Sequence, residues 1–416
     1  MQTKTPPARS NVIVLKQMLH QIPRPLINRS AKETGVGAKA RTFSVFSHLT
    51  AMLFAQLSHS LGLNDVCDWL RLKAEAIGRF GVTPPSRNTL SHANRTRDAA
   101  FVAKLFWLLL GELHNSHPRF STGRMGRGTL HRFKVRIHAV DSSVIQLVAN
   151  SMDWAKHRRR KAAAKMHLRL DLHNFLPSFV IVGTARQHDN TRARELCAGL
   201  RDGEIVIFDK AYVDFGHLAD LTARGVRWVT RAKTNMVYRA LKNLPGEHAD
   251  IIKDQIVSVK KPEGGRMKIR RVEARVEIDG KTRVMVFVTN NTQWSPRTVC
   301  DLYQRRWDIE VFFKQVKQVL KLGSFLGYNE NAVAWQIYSA LIVYVLLRFQ
   351  QYLSRWSESF IRLFAIVRSS LWERIDLTAH LLSYGTASEP FRIRGGLDTA
   401  WLPGFSPGKA RSHGTA

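Results

Sequence analysis

The stretch that most constrains the fold runs from Asp301 to Leu320 and has the periodicity of one long helix. Ser295 is placed to cap its start, Pro296 stands at the first helical position, and Gly323 follows its end. At about 3.6 residues per turn, an apolar stripe faces a core and a polar set falls on the solvent side. The stripe comprises Leu302, Ile309, Phe313, Val316 and Leu320, and the solvent set comprises Gln304, Asp308, Gln315 and Gln318.

A third line of side chains flanks the apolar stripe. Tyr303, Arg306, Glu310 and Lys317 fall within roughly 60° of one another around the helix axis. The line therefore places a phenol, two cations and a carboxylate at the edge of a buried face. A helix made only for packing has no need of such a line, so we interpret it as part of a functional site.

The net charge indicates a polyanionic partner. Lysine and arginine number 64 against 32 aspartates and glutamates, which gives a formal charge of +32 over 416 residues. Nucleic acid is the first candidate and an anionic membrane surface the second. The membrane interpretation is weaker, because the most apolar run, Ala340–Leu347, is far shorter than the roughly 20 residues that span a bilayer.

The start of the chain and its cysteines predict a cytosolic protein. The first residues are polar and lack the apolar segment of a signal peptide. Cys67, Cys197 and Cys300 are scattered and form no C-x-x-C pair, so we expect reduced thiols and neither a disulfide framework nor a zinc site.

The composition changes along the chain and predicts a series of segments. Helical periodicity dominates residues 1–120, which we interpret as an N-terminal helical, DNA-binding domain. β-branched runs then predict a mixed α/β core over 130–235 and 284–350, interrupted by an inserted β subdomain at 236–283. Residues 351–416 are predicted to form C-terminal helices and a flexible tail. No Gly-rich phosphate loop follows a strand, which excludes a doubly wound nucleotide-binding fold.

A short polar helix in the N-terminal segment is a candidate for contacting DNA. Ser86 is placed to cap a helix that carries Arg87, Arg95, Arg97, asparagines and small hydroxyl residues. Such a helix, preceded by a short helix and a turn, is typical of one that enters a DNA groove. The alternative is a solvated surface helix, and the sequence favours neither.

Three acids stand where the predicted strands and the long helix converge. Asp141 lies within the first core strand. Asp209 is the last residue of a later apolar strand, and Glu310 faces inward from the long helix. Each alone is more often a turn former or a helix cap than a ligand. Buried together, the carboxylates would raise one another's pKa, and divalent cations would remove that conflict. Mg²⁺ prefers carboxylate oxygen, and a metal pair about 4 Å apart activates water for phosphoryl displacement.

The helix motif carries a resemblance to a known family. Tyr303-x2-Arg306-x3-Glu310-x6-Lys317 matches the Y-x2-R-x3-E-x6-K signature, so the chain resembles the DDE insertion-sequence transposases of the insertion-sequence-four group. The contexts of the two aspartates, Ile137–Ser143 and Ile207–Tyr212, agree with that family. The resemblance covers roughly residues 40–350.

This resemblance implies an RNase H-like mixed sheet and a role for each signature residue. Asp141, Asp209 and Glu310 would hold two Mg²⁺ ions, for which Mn²⁺ can substitute. Tyr303, Arg306 and Lys317 would contact DNA phosphates near the cleaved bond. Some relatives place a tryptophan on the strand before the long helix to stack a base during hairpin formation, whereas that strand here has none. The candidates to replace it are Trp294, Trp228 and Met285.

Three functions remain open. The first, favoured by the aligned cations and the β insertion, is a bacterial cut-and-paste transposase of the cytoplasm and nucleoid. It would act as a homodimer on the terminal inverted repeats of a transposon and join the freed 3′ ends to target DNA. The second is an RNase H-like nuclease or resolvase that cleaves without joining. The third is an inactive DNA-binding relic, which the intact acids and signature residues disfavour.

Overall fold

The N-terminal part of the chain is helical. The computed structural model describes residues 9–38, 40–123, 129–147, 156–157, 161–184, 189–245, 249–278, 280–319, 326–327 and 329–384. Ser44 and Ser86 act as N-caps, because their hydroxyls accept from the backbone N–H groups of Ser47 and Thr89. The helices are α1 (Val14–His20), α2 (Arg24–Thr34), α3 (Val45–Ser58), α4 (Leu63–Leu72), α5 (Ala74–Gly78), α6 (Arg87–Thr96), α7 (Ala100–Ser116) and α8 (Pro118–Thr122), followed by a 3₁₀ turn at Thr129–Arg132.

A single mixed sheet forms the centre of the molecule. Its strands are β1 (Ile137–Leu147), β2 (Lys156–His157), β3 (Lys161–Asp171), β4 (Leu176–Thr184), β5 (Ile205–Phe208), β6 (Arg227–Arg231), β7 (Arg239–Asn243), β8 (Ile251–Lys260), β9 (Arg266–Ile278) and β10 (Lys281–Thr289). On one side of β1 lie β3 and then β4, both in antiparallel pairings. On its other side, β5 and β6 follow in parallel. The fold is therefore α/β with a mixed sheet, as predicted.

Between the parallel strands lie further helices, α9 (Asp189–Cys197) and α10 (Phe215–Ala223), with a 3₁₀ turn at Lys210–Tyr212. Their apolar residues pack with Val140, Val206 and Phe208 on one face of the sheet. The opposite face of the sheet belongs to a larger core that also contains the N-terminal helices. The sheet is thus covered on both faces, as expected for parallel strands.

The predicted β insertion extends this same sheet. Strand β10 pairs with β6 over three positions and with β9 along its whole length, and β8 and β7 follow β9 in order. A buried ion pair ties the extension to the segment that follows it. Arg270 Nε and Nη2 donate to Asp254 Oδ1 and Oδ2 at 2.8 and 2.5 Å, and Nη1 donates to the carbonyl oxygens of Thr292 and Trp294.

The predicted continuous helix from Asp301 to Leu320 is interrupted, so that prediction is wrong. The segment comprises α11 (Pro296–Gln304), α12 (Trp307–Lys314) and a π-helical turn (Gln315–Val319), and Leu320 lies outside the described residues. Between α11 and α12, the N–H groups of Arg305 and Arg306 bond to carbonyl oxygens three residues earlier. Such i→i+3 bonding tightens the turn and changes the phase of the helix.

The change of phase alters which side chains are buried. Leu302, Ile309, Phe313 and Val316 are buried as predicted. Gln304 is exposed as predicted, but Asp308 and Gln315 are only 8% and 5% exposed, so their assignment to the solvent side is wrong. Asp308 Oδ2 lies 2.6 Å from Arg305 Nη2, which accounts for a carboxylate at that position. The side chain of Gln318 lies outside the described residues.

The C-terminal part is built around one buried helix. It comprises α13 (Glu330–Leu353), α14 (Phe360–Ser369) and α15 (Leu377–Tyr384), and the predicted tail beyond Tyr384 lies outside the described residues. By length and composition α13 is able to cross a membrane, but 89% of its most apolar window is buried within the protein, as in the core helix of a globular fold. It packs against α3, α6, α7 and α14.

One hydrophobic core therefore joins the N-terminal helices to the sheet and to the C-terminal helices, from Ile13 to Leu381. The domain boundaries drawn from the sequence at 120, 235, 283 and 350 stay predictions.

Candidate active site

Strand register brings the two aspartates together. In the parallel pairing of β1 and β5, Val140 and Phe208 are the last pair of facing residues. Asp141 and Asp209 are therefore the next residues of the two segments. Because side chains alternate along a strand, Asp141 shares a face with Ala139, and Asp209 follows the alternation of Ile207. Ala139 and Ile207 belong to the core that packs under α11 and α12. The two carboxylates therefore belong to the face of the sheet that the signature helices cover.

Arg306 lies between two of the acids. Its Nη1 donates to Asp141 Oδ2 at 3.2 Å, and its Nη2 lies 2.8 Å from Glu310 Oε1. The side chain is 7% exposed, and its guanidinium carbon lies 4.9 Å from the centre of the Trp307 ring. Burial would lower the pKa of Arg306, but the neighbouring phenol and carboxylates outweigh burial and raise it. Arg306 is therefore a fixed cation within a group of acids.

The electrostatics of Asp141 show that the acids influence one another. Burial raises the pKa of Asp141 to about 6, and the charges of Asp209 and Glu310 add to the rise. The N–H of Ser142, 2.7 Å from Oδ1, and the Arg306 guanidinium oppose it. Among the described residues, the Arg306 guanidinium thus contacts two of the three carboxylates, and the third influences it at longer range.

Tyr303 approaches the third acid. Its hydroxyl is 3.5 Å from Asp209 Oδ1, which also accepts from the N–H of Lys210 at 2.7 Å. The Tyr303 ring is 6% exposed and lies 5.0 Å from the Phe287 ring on β10. Burial raises the pKa of Tyr303 to about 12, so the phenol stays protonated and able to donate a hydrogen bond at neutral pH.

Lys317 is separated from the acids by the π-helical turn. Its Nζ donates to the carbonyl oxygen of Val144 on β1 at 2.5 Å, and burial lowers the pKa of Lys317. Val144 follows Asp141 by three residues, or about 10 Å of extended strand. Lys317 therefore lies along the strand that carries Asp141 and does not contact a carboxylate of the site among the described residues.

The π-helical turn is held by a residue that the sequence analysis missed. Arg348 of α13 donates from Nη2 to Gln315 Oε1 at 2.8 Å, at the first residue of that turn. The signal in the sequence was a lone arginine within the apolar run that follows Ala340. A charge in such a run is buried only where it has specific acceptors.

The donor set fits hard divalent cations, which prefer carboxylate oxygen. Among the residues that the structure describes, however, no three His, Cys, Asp or Glu side chains are close enough together to hold a metal ion. Arg306 instead bridges Asp141 and Glu310. The acids thus form an electrostatic cluster whose chemistry suits a metal but whose oxygens are not assembled as a ligand set.

The two N-terminal arginines lie on a different surface. Arg87 and Arg95 are exposed on α6 and fall on one face of that helix with Ser91, at intervals of four residues. The opposite side of α6 is buried through Leu90, Ala93 and Asn94. Among the described residues, neither arginine contacts the three acids.

The candidates to replace the missing tryptophan differ in accessibility. Trp228 is fully buried, and its Nε1 donates to Thr222 Oγ1 at 2.9 Å and to the Leu218 carbonyl at 3.2 Å. It is therefore not available to stack on a base. Trp294 and Met285 are partly buried and pack against the core.

Comparisons with known proteins identify the family. Residues 133–346, half of the chain, match the family described as "Transposase DDE domain", and residues 10–83 match a family described as a domain of unknown function, DUF4372. The chain is 32% identical over 302 residues to "Putative transposase y4zB" of Sinorhizobium fredii, covering 71% of this chain and 80% of that protein. It is 30% identical over 220 residues to "Probable transposase for insertion sequence element IS5377" of Geobacillus stearothermophilus, covering 52% and 57%.

More distant sequence similarities also indicate the transposases. "Transposase for insertion sequence element IS231D" of Bacillus thuringiensis subsp. finitimus is 22% identical over 384 residues, with 79% of this chain and 77% of that protein covered. A solved piggyBac transposase synaptic complex with hairpin DNA gives a TM-score of 0.43 at 10% identity, over 87% of this chain and 81% of that one, which is too distant to bear on the fold.

The family assignment rests on sequence and agrees with the acids, the signature residues and the mixed sheet. DDE transposases generally use divalent metal ions, which the all-carboxylate donor set suits. The chain belongs to the DDE transposase family, whose enzymes catalyse DNA transposition.

Proposed function

We propose that this protein is a cut-and-paste insertion-sequence transposase in which Asp141, Asp209 and Glu310 are the catalytic carboxylates. The observation that carries the proposal is the strand register that sets Asp141 beside Asp209 on the face under α11 and α12. Two Mg²⁺ ions, or Mn²⁺ in their place, are the cofactors that the three carboxylates would hold. When bound, such ions activate the attacking oxygen and stabilise the charge that develops in an in-line phosphoryl displacement.

The remaining signature residues bind and orient the scissile phosphate. Arg306 supports this role because its planar guanidinium lies between Asp141 and Glu310 and has further N–H groups that can donate to phosphate oxygens. Tyr303 supplies one hydrogen bond from a phenol that stays protonated. Lys317 supplies a point charge farther along β1, where the strand continues past Asp141. These groups exclude no other chemistry by themselves, but next to three carboxylates they suit phosphoryl transfer.

The order of steps follows from the family. A nick frees a 3′ hydroxyl at the transposon end, the hydroxyl attacks the opposite strand to give a hairpin, and the released end then joins target DNA. Since Trp228 is buried, Trp294 and Met285 are the candidates left to contact a base during the hairpin step. The core that performs these steps is RNase H-like, formed by β1 and β3–β6 with α11 and α12.

The N-terminal helices recognise the terminal inverted repeats. Arg87 and Arg95 contact DNA phosphates from the exposed face of α6. The C-terminal end of α6 is fixed by α13, because Asn331 and Trp335 donate hydrogen bonds to the carbonyl oxygens of Asn94 and Arg97. A helix fixed in this way presents its polar face with a smaller loss of conformational entropy on binding. Both transposon ends must be cut in concert, so the active species is a homodimer on paired ends, acting in the bacterial cytoplasm at the nucleoid.

The test is cleavage of a DNA duplex that carries the terminal repeats flanking this gene. Wild type is compared with Glu310→Gln and with the exposed control Glu112→Gln, with Mg²⁺ and with chelator. Wild type and control are expected to nick at the repeat boundary and to join the 3′ end to a second duplex. Glu310→Gln is expected to bind the duplex and to do neither.

The alternatives predict other products. Cleavage without joining would favour a nuclease or resolvase. Cleavage by Glu310→Gln at the wild-type rate would contradict the assignment of the carboxylates, and denaturing gels would show whether a hairpin forms.

A further inference from the structure

A cavity of about 350 Å³ lies at the other end of the parallel strands from the three acids. Glu204, which immediately precedes β5, lines it, whereas Asp209 immediately follows β5. The two positions are therefore separated by about 16 Å of extended strand. The outer wall of the cavity is formed by α7, through Trp107, Leu110 and Gly111. The cavity thus lies between the N-terminal helices and the sheet, and the transposition chemistry does not use it.

The acidic groups of the cavity already have partners. Asp171 Oδ2 lies 3.3 Å from Arg136 Nη1. Glu204 Oε2 accepts from the N–H of Arg201 at 3.1 Å and lies 3.5 Å from His138 Nε2. Asp171 therefore has a cationic partner, whereas Glu204 accepts from a backbone N–H and faces an imidazole that carries a charge only when protonated.

The basic groups of the cavity have unused capacity. Arg169 is 7% exposed and donates to Ser178 and to the carbonyl oxygen of Leu196, so its charge meets no carboxylate at contact distance. The guanidinium of Arg201 makes no hydrogen bond or ion pair among the described residues. His138 is 3% exposed, with Nδ1 3.3 Å from Ser178 Oγ and Nε2 3.5 Å from Glu204 Oε2. The N–H groups of the two guanidiniums that have no acceptor are therefore the groups available to an anion.

One wall of the cavity is apolar, although His114, Asn174 and Ser178 also line it. Trp107, Leu110, Leu176 and Pro177 form an apolar wall. Gly111 stands within α7, where glycine destabilises a helix relative to alanine. Packing does not require this glycine, because a Cβ built there meets nothing within 4 Å. A side chain at this position would extend into the space that the glycine leaves free.

We propose that this cavity is a ligand site for a small aromatic anion. The flat body packs on Trp107 and Pro177, and a phosphate or carboxylate group binds the guanidiniums of Arg201 and Arg169. A volume near 350 Å³ suits a ligand of nucleoside monophosphate size or smaller. An occupant bridges α7 to β1, the strand that carries Asp141.

The test measures binding to the DNA-free, full-length protein by equilibrium dialysis. The probes are adenosine 5′-monophosphate and benzoate, which carry the anion as phosphate and as carboxylate, together with adenosine and inorganic phosphate alone. At least one of the two aromatic anions is expected to bind with a dissociation constant below about 1 mM. Adenosine and inorganic phosphate, which each lack half of the ligand, are expected to bind at least tenfold more weakly.

Two variants locate the binding. Gly111→Leu fills the cavity while improving helix propensity, and Arg201→Gln removes the free guanidinium; each is expected to weaken binding at least tenfold. The matched controls are Gly78→Leu, at a helical glycine that also has open space around it, and Arg71→Gln, at an exposed arginine. Both controls are expected to bind like wild type.

Two results would overturn the proposal. One is the absence of binding by both aromatic anions up to about 1 mM. The other is binding that survives both Gly111→Leu and Arg201→Gln, since that would place the anion on the DNA-binding surface. Neither result touches the carboxylates, so the proposed transposase activity is tested separately.

Discussion

Two buried arginines, Arg306 in the acid cluster and Arg348 in the helical core, differ in the groups that accept their hydrogen bonds. Arg306 contacts the carboxylates of Asp141 and Glu310. Arg348, 1% exposed, donates to the neutral oxygens of Tyr344, Gln351 and Gln315, at 2.8 to 2.9 Å, and to no carboxylate in the part of the chain that the structure describes.

Aromatic rings complete the surroundings of Arg348. The Phe175, Tyr344 and Phe360 rings lie within 5.0 to 5.3 Å of its guanidinium carbon. Neutral oxygens and ring faces are thus enough to bury a structural cation. Around Arg306, by contrast, two carboxylates contact one guanidinium among the described residues, with Asp209 nearby, in a chain whose formal charge is +32. A group of partly buried acids in a strongly basic protein marks a place for further cations and for chemistry.

The largest expected effect is on catalysis at Arg306. Arg306→Ala is expected to lower the rate of strand cleavage by about 100- to 1000-fold, because one charge-assisted contact to the reacting phosphate is lost. The control is Lys314→Ala, which removes an exposed cation from the same helical segment and is expected to change the rate less than about twofold. Equal losses in the two variants would mean that Arg306 contributes only general charge.

The second expected effect is on stability at Arg348. Arg348→Met is expected to lower the free energy of unfolding by about 2–4 kcal/mol, since three hydrogen bonds are lost and their acceptors stay buried. The loss is expected to be the same from about pH 5 to pH 8, because neither the arginine nor its partners titrate there. Urea unfolding at several pH values measures it, with Arg362→Met at an exposed site as control. A loss of unfolding free energy that varied with pH would contradict this prediction, because Arg348 would then need a titrating partner, as Arg306 has in its carboxylates.

The third expected effect is that the contribution of Asp141 to stability depends on pH, whereas that of Arg348 does not. The pKa of Asp141 is raised to about 6, mainly by burial, so the folded state binds a proton more tightly than the unfolded state. Without divalent ions, the stability of wild type relative to Asp141→Asn is therefore expected to fall as pH rises from about 4 to 6, by up to about 3 kcal/mol. Urea unfolding of both proteins with chelator measures the difference. A constant difference across that range would show that Asp141 is not held in a buried acid cluster.

The smallest expected effect is on DNA affinity at α6. Arg87→Ala and Arg95→Ala are each expected to weaken binding to the terminal repeats by about 1 kcal/mol and to lower the salt dependence by about one counterion. Binding is measured at several salt concentrations, with Arg71→Ala on α4 as control. An unchanged salt dependence in both variants would support the solvated-helix interpretation of α6.

The sequence predicted one contact between the acids and the signature residues. The spacing of Tyr303, Arg306 and Glu310 placed them on one line, and the structure brings Arg306 and Glu310 into contact. The strand pattern and the position of Asp209 at a strand end were also readable, because side-chain alternation and burial leave a regular pattern.

Other features had no local signal. The i→i+3 turn at Arg305 and Arg306 breaks the ideal helical geometry that the sequence analysis assumed, so Asp308 and Gln315 were placed in solvent although both are buried. The pairing of Arg348 with Gln315 joins residues 33 positions apart in the chain. Such partners depend on how helices pack, which periodicity within one helix does not specify.

Mn²⁺ binding tests directly whether Asp141, Asp209 and Glu310 act as one metal-dependent centre, as we propose. Electron paramagnetic resonance is used to count the Mn²⁺ ions bound by wild type on a terminal-repeat duplex, and by Asp141→Asn, Asp209→Asn, Glu310→Gln and the control Glu112→Gln. We expect two bound ions for wild type and control, and loss of at least one ion in each of the three variants. Three variants that bind Mn²⁺ like wild type would contradict that proposal.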